Sequence, residues 1–212
     1  LTGPANLPGV GSECSCNQVA VAAQPEEATA GMGFAGLKPH IAERPMSAIV
    51  AGNGFLNWRK DRVRSALEGH NPTVLARMTE SFAVIGDVQW LPGYCVALTS
   101  DPETGMLSDL PRPRRLRFLA DTDLLAFAVE SVCRDMYSGF RRVNIEILGN
   151  TDPFLHAHIW PRYDWEPAGI RDKPVWLYPP GHWRNPDHLL GDQHDPLRLR
   201  LTEEVRCLLE GL

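Results

Sequence analysis

No stretch of this chain approaches the roughly 18 consecutive apolar residues of a membrane-spanning helix, and its opening residues lack the basic start and apolar run of a secretory signal. These absences lead to the expectation of a cytoplasmic protein with no membrane partner. Positive charge is also short: 21 Lys and Arg against 26 Asp and Glu leave a formal charge of −5. There is no general basic footprint for nucleic acid, so no nucleic-acid partner is expected. A small anionic ligand would need a local positive site instead of a global field. Cysteine is sparse and odd in number: Cys14, Cys16, Cys95, Cys133 and Cys207 show no disulfide-framework spacing, which points to reduced thiols. Cys95 falls in an apolar strand pattern and Cys133 and Cys207 in helical ones, where a thiol behaves as a small hydrophobe. Cys14-x-Cys16 could hold a metal in principle, but no second ligand pair at the usual spacing accompanies it.

What is present suits one domain with extensions: 212 residues, 43% hydrophobic and 22% charged. Residues 1–52 are rich in Gly, Ala and Pro without periodicity, which predicts a loosely ordered arm. From Trp58 the spacing predicts an amphipathic helix ending near Gly69, then a short second helix after Pro72. Ser81–Ile85 and Tyr94–Leu98 are apolar, β-branched runs either side of a Gly- and Pro-containing loop, hence strand, loop, strand. Arg115 to Tyr137 has apolar residues at helical spacing and ends at Gly139. Val143–Leu148 and Leu155–Trp160 are two further strands. The order β-β-α-β-β predicts an α+β domain over 53–165, an antiparallel sheet with its long helix on one face. The remainder, 166–212, is irregular and rich in Trp and Pro until helical periodicity returns at Leu197–Leu209. Tryptophans in such a segment are expected to pack over the domain or over a partner subunit.

The stretch from Asn144 to Arg162 carries the chemistry. In an extended chain Phe154, His156 and His158 share one face, and Leu155, Ala157 and Ile159 the other. One face can be core while the other does chemistry. Two imidazoles side by side suit phosphate: a neutral ring can attack phosphorus and a protonated one can hold phosphoryl oxygens. The same spacing also occurs as a metal pair or as ordinary strand residues. Asn150 before Thr151-Asp152-Pro153 is equally a turn residue. Asp87 is equally hairpin chemistry, and Arg162 a surface ion pair. The cluster Arg112, Arg114, Arg115 and Arg117 suits the solvated face of a helix start, and His182, His188 and His194 suit the surface.

The company of the two histidines adds to this. Gly149-Asn150, Pro153-x-x-His156-x-His158-Ile159-Trp160-Pro161-Arg162 and the preceding Phe82-Ala-Val-Ile-Gly-Asp-x-Gln-x-Leu-Pro-Gly-Tyr94 hairpin resemble the histidine triad family of nucleotide hydrolases and transferases. The chain is most similar to its bacterial branch of diadenosine-tetraphosphate hydrolases, over residues 79–165. The family pattern has three alternating histidines. Registered on Pro161-Arg162, Phe154 stands at the first, His156 at the second and His158 at the third; starting from His156 would put Trp160 third but break the match to Pro153 and Pro161-Arg162.

The resemblance implies that His156 attacks the α-phosphorus of a dinucleoside polyphosphate or nucleoside phosphoramidate, and that His158 donates to non-bridging oxygens. Asn150 would contact the phosphate or leaving group and Asp87 the ribose hydroxyls, with Gly149, Phe154 and Arg162 as further substrate-binding residues. No metal and no cofactor is required. A homodimer paired through the long helix is expected, its Leu124–Met136 face looking too apolar for solvent. Loss of the first histidine allows an alternative, a nucleotide-binding protein with a weak triad, unless a backbone carbonyl orients His156 instead.

Overall fold

The computed structural model describes residues 58–212; the arm expected over 1–52 and Cys14-x-Cys16 lie outside the described residues. The elements are α1 (Arg62–Leu67), β1 (Val74–Arg77), β2 (Ser81–Ile85), β3 (Cys95–Thr99), α2 (Arg112–Met136), β4 (Phe140–Glu146), β5 (His156–Tyr163), α3 (Ala168–Arg171) and α4 (Asp195–Glu210). The strands form one antiparallel sheet in the order β1-β2-β3-β5-β4. This is the expected α+β arrangement, with α2 packed on one face. Among the described residues no helix is long and apolar enough to cross a membrane.

Two local expectations are corrected. The segment after Pro72 is a strand, not a helix. The Asn71 side chain accepts from Thr73 N (3.0 Å) and Thr73 Oγ1 (2.6 Å), which turns the chain so that Val74–Arg77 pairs with β2. The helix expected from Trp58 is split: Trp58–Lys60 is a 3₁₀ turn, and Asp61, accepting from Arg64 N at 3.0 Å, caps a fresh start at Arg62.

The core lies between the sheet and the helix pair α2 and α4. Ala83, Ala97 and Ala157 stand in register across β2, β3 and β5 and are fully buried. That row of small side chains lets Phe118, Leu125, Val129 and Val132 of α2 approach the sheet closely, with Leu197, Leu201 and Val205 of α4 closing the side. Most of the apolar α2 face expected to need a partner is spent here, which leaves Leu116, Leu119 and Phe127 exposed. Gly93 is a position that only glycine fills well: φ is +95°, and a Cβ there would overlap Cys133 Sγ. The thiols of Cys95 and Cys133 are buried, and burial raises both well above the ordinary range, Cys133 to about 11.

The segment after β5 packs back over the other face of the sheet, through short turns at 175–177, 180–183 and 186–188. Its anchor is Arg162. The guanidinium grips Glu166 (Nε 3.0 Å, Nη2 2.8 Å) and donates to the carbonyls of Arg171 (2.8 Å) and Lys173 (2.9 Å). Tyr178 Oη and Tyr163 N donate to the same carboxylate, both at 2.6 Å. With both charges out of solvent, the pair holds only if intact. Arg162→Met strands Glu166 and should lower unfolding free energy by about 3–5 kcal/mol, read from urea melts. A loss under about 1 kcal/mol would show the pair to be dispensable.

Candidate active site

β5 is paired on both edges, with Leu98 opposite His156 and Val96 opposite His158 on β3, and Glu146 opposite His158 on β4. Leu155, just before it, and its residues Ala157 and Ile159 enter the α2 core. By strand alternation Phe154, His156, His158 and Trp160 point to the opposite face. His156 and His158 are 6% and 9% exposed, so their hydrogen bonds are formed largely out of water.

Those bonds make one chain. His156 Nδ1 lies 2.8 Å from Phe154 O, His156 Nε2 3.1 Å from His158 Nε2, and His158 Nδ1 2.7 Å from Tyr94 Oη. A carbonyl can only accept, so His156 Nδ1 carries a proton. With one proton on each ring, His156 Nε2 must then accept, His158 Nε2 must donate, and Tyr94 must donate to His158 Nδ1. This is the assignment that satisfies every contact with neutral rings. It leaves the His156 lone pair on Nε2 and aims the His158 N–H at it.

The surroundings hold the chain in this state. Tyr94 stacks on Trp160 (centroids 3.5 Å apart, planes 6°) and its burial raises the phenol pKa far above the ordinary value, so it stays a donor. A Cβ on Gly86 would overlap the Tyr94 ring, so glycine is what lets that ring reach His158. The Trp176 indole packs edge-on against His158 (4.9 Å) with its N–H on Glu146 Oε2 (2.6 Å). Burial, with the neighbouring His156 second, pushes the His158 pKa down to about 3. In the free site His158 is therefore a neutral donor and not the imidazolium that the sequence suggested.

A cleft of about 680 Å³ opens beside the histidines. Val84 and Leu98 line it from the sheet, Val88 from the β2–β3 loop, and Trp183, Leu189 and Leu190 of the C-terminal segment also line it. That segment is stitched to the β2–β3 loop by Gln89 N to His188 O (2.6 Å) and Leu190 N to Asp87 O (2.9 Å). Asp87 lines the cleft and is clasped by Arg62 (2.6 and 3.2 Å) and Arg59 (3.4 Å).

Of the residues singled out from sequence, His156, His158, Phe154 and Asp87 are brought together here. Phe154 lines the cleft with its ring 5.3 Å from His156. Gly149 lines a second hollow that also borders His156. Asn150 is exposed on the β4–β5 loop and lines neither. Arg162 does not join them, because its donors are consumed in the buried anchor to Glu166. His182 and His188 are not plain surface residues: their rings stack 5.2 Å apart and pack against Trp90. Tyr94, Arg59 and Arg62 were missed. Tyr94 carried no local signal: it sits one residue before β3 and comes beside Trp160 only once Cys95 pairs with Ile159. Among the described residues no three His, Cys, Asp or Glu are grouped to hold a metal.

Protonating His158 requires breaking its place in the chain. Its pKa is about 3 folded against 6.5 ordinarily, so the stability it lends is complete above about pH 6.5 and lost as pH falls toward 3. The unfolding free energy should drop about 1.4 kcal/mol per pH unit between about pH 6 and 4, more steeply than in His158→Asn. Parallel slopes for the two proteins would rule this out.

No protein-family model matches the chain, and no curated protein matches it. Among solved structures it is similar to a histidine triad protein from Marinobacter aquaeolei VT8, with 19% identity over 66% of this chain and 89% of that one, TM-score 0.48. It is also similar to a histidine triad protein from Sinorhizobium meliloti 1021, at 16% identity over 62% and 87%, TM-score 0.49. A hypothetical histidine triad nucleotide-binding protein from Sulfolobus tokodaii strain 7 matches at 12% identity over 69% and 93%, TM-score 0.49.

Proposed function

We propose that this protein is a nucleotide hydrolase or nucleotidyltransferase working at an α-phosphorus through a nucleotidyl-His156 intermediate. The observation that carries this reading is the one-directional chain Tyr94, His158, His156, Phe154 carbonyl, which leaves the lone pair of His156 on Nε2. Nε2 attacks phosphorus, the bridging bond breaks, and its electron pair leaves with the departing group. The imidazolium so formed keeps its Nδ1 proton against the Phe154 carbonyl. His158 N–H turns from Nε2 to the non-bridging oxygens, where a preorganised donor is worth about 3 kcal/mol in the transition state. Water or another acceptor then attacks phosphorus, the P–N bond breaks with its electron pair returning to Nε2, and the acceptor's proton passes to solvent. Asp87 accepts from the ribose hydroxyls; its carboxylate has lone pairs to spare beyond those that Arg62 uses.

His156→Ala should abolish turnover while sparing nucleotide binding. A variant retaining more than about a hundredth of the rate, a loss under about 2.7 kcal/mol, excludes His156 as nucleophile. Turnover of a phosphoramidate should survive EDTA; complete loss restored by zinc would turn the reading to a metal pair.

The protein acts as a homodimer in this reading, with Leu116, Leu119 and Phe127 of α2 and Ile145 on the edge strand β4 supplying exposed apolar area. Light scattering at micromolar concentration should give twice the chain mass. A monomer there removes this part of the proposal.

A further inference from the structure

The second hollow, about 620 Å³, is lined by the 105–108 turn, by residues 147–149, and by Leu155 and His156. Of the residues lining the two hollows, His156 alone is common to both. A substrate held in the first cleft with its α-phosphorus at Nε2 therefore has a second space bordered by the same residue. Its lining is mostly apolar, including Met106, Ile147 and Leu148, with Ser108 and Arg115 among its polar members.

Arg115 is unlike its neighbours. Arg114 and Arg117 both hold Glu80. Arg115 Nη2 donates to Leu110 O at 3.1 Å, its Nε is buried with no hydrogen-bond partner, and among the described residues no carboxylate pairs with it. A buried donor without an acceptor carries a desolvation cost that an incoming oxyanion removes. A guanidinium also meets phosphate bidentately, which makes it a selective partner and not a mere point charge.

Resting on the nucleotidyl-His156 reading, we propose that this hollow holds the departing half of the substrate, that this half is a phosphate bearing an apolar or aromatic body, and that Arg115 binds its phosphate. Of the two substrate classes that the family resemblance implies, this hollow suits the leaving half of a dinucleoside polyphosphate better than a leaving amine. When the P–O bridging bond breaks, its electron pair settles on the leaving phosphate as anionic charge beside Arg115, so no proton need be supplied. A leaving amine would need one, and among the described residues no carboxyl group lines this hollow.

Two measurements test it. The first titrates inorganic tripolyphosphate calorimetrically into protein saturated with AMP, for wild type, Arg115→Ala and Arg112→Ala, the last an exposed arginine of the same turn. Arg115→Ala should weaken binding at least about tenfold and Arg112→Ala less than about twofold, as loss of one charge-assisted contact requires. The second compares single turnover of diadenosine tetraphosphate and of an adenosine phosphoramidate. Arg115→Ala should slow the first at least about tenfold and leave the second within about twofold, with Arg115→Lys recovering part of the loss. Unchanged tripolyphosphate binding, equal losses in the two arginine variants, or equal slowing of both substrates overturns the proposal. If wild type consumes neither substrate, the nucleotidyl-His156 reading has failed, and the titration, run without AMP if AMP does not bind, still decides whether Arg115 marks an anion site.

Discussion

Strand β5 has to satisfy two ladders and two faces at once, and most of what is distinctive here follows from that. Paired to β3 on one edge and β4 on the other, it has no freedom of register. A slip of one residue would bury two imidazoles against α2 and expose Leu155, Ala157 and Ile159 on the wrong face. The alanine row that admits α2 is therefore also what pins His156 and His158 to the cleft. Packing on one side of the strand and polar geometry on the other are two consequences of a single alternation.

The C-terminal segment completes the other face. Arg162 belongs to the same strand as the histidines, and by gripping Glu166 and two carbonyls it folds the following residues back, so that Trp176 reaches His158 and Trp183 and Leu190 line the cleft. Excluding water there strengthens every dipole in the chain from Tyr94 to Phe154. The same exclusion drives His158 neutral. A positively charged His158 would repel any charge developing on His156, whereas a neutral one donates to its lone pair.

The strands, the long helix and the face carrying the histidines were legible because period-two and period-3.6 patterns are written in neighbouring residues. β1 was not, because Val74–Arg77 is too short to show a period and its identity rests on pairing with β2 and on the Asn71 turn. Arg162 and Asp87 looked alike in sequence, polar residues next to a motif. Their different fates depend on Glu166 and Arg62, contacts that no local pattern announces. Tyr94 stands within the hairpin motif, yet only the β3–β5 register places it beside Trp160. The basic run 112–117 resolved into separate tasks for the same reason, since Glu80 reaches Arg114 and Arg117 from another strand connection.

The residue at position 154 has a physical reading that its sequence context alone could not supply. What His156 requires from its neighbour is an acceptor for Nδ1–H, and the main chain at 154 provides one whatever the side chain. A carbonyl has no proton to give, so the chain can run in one sense only, whereas an imidazole in its place could donate as well as accept and so permit either tautomer of His156. With that contact made by the main chain, the side chain at 154 can serve for shape. The Phe154 ring packs beside His156 and against the Val84–Leu98 cluster, and so becomes part of the cleft wall.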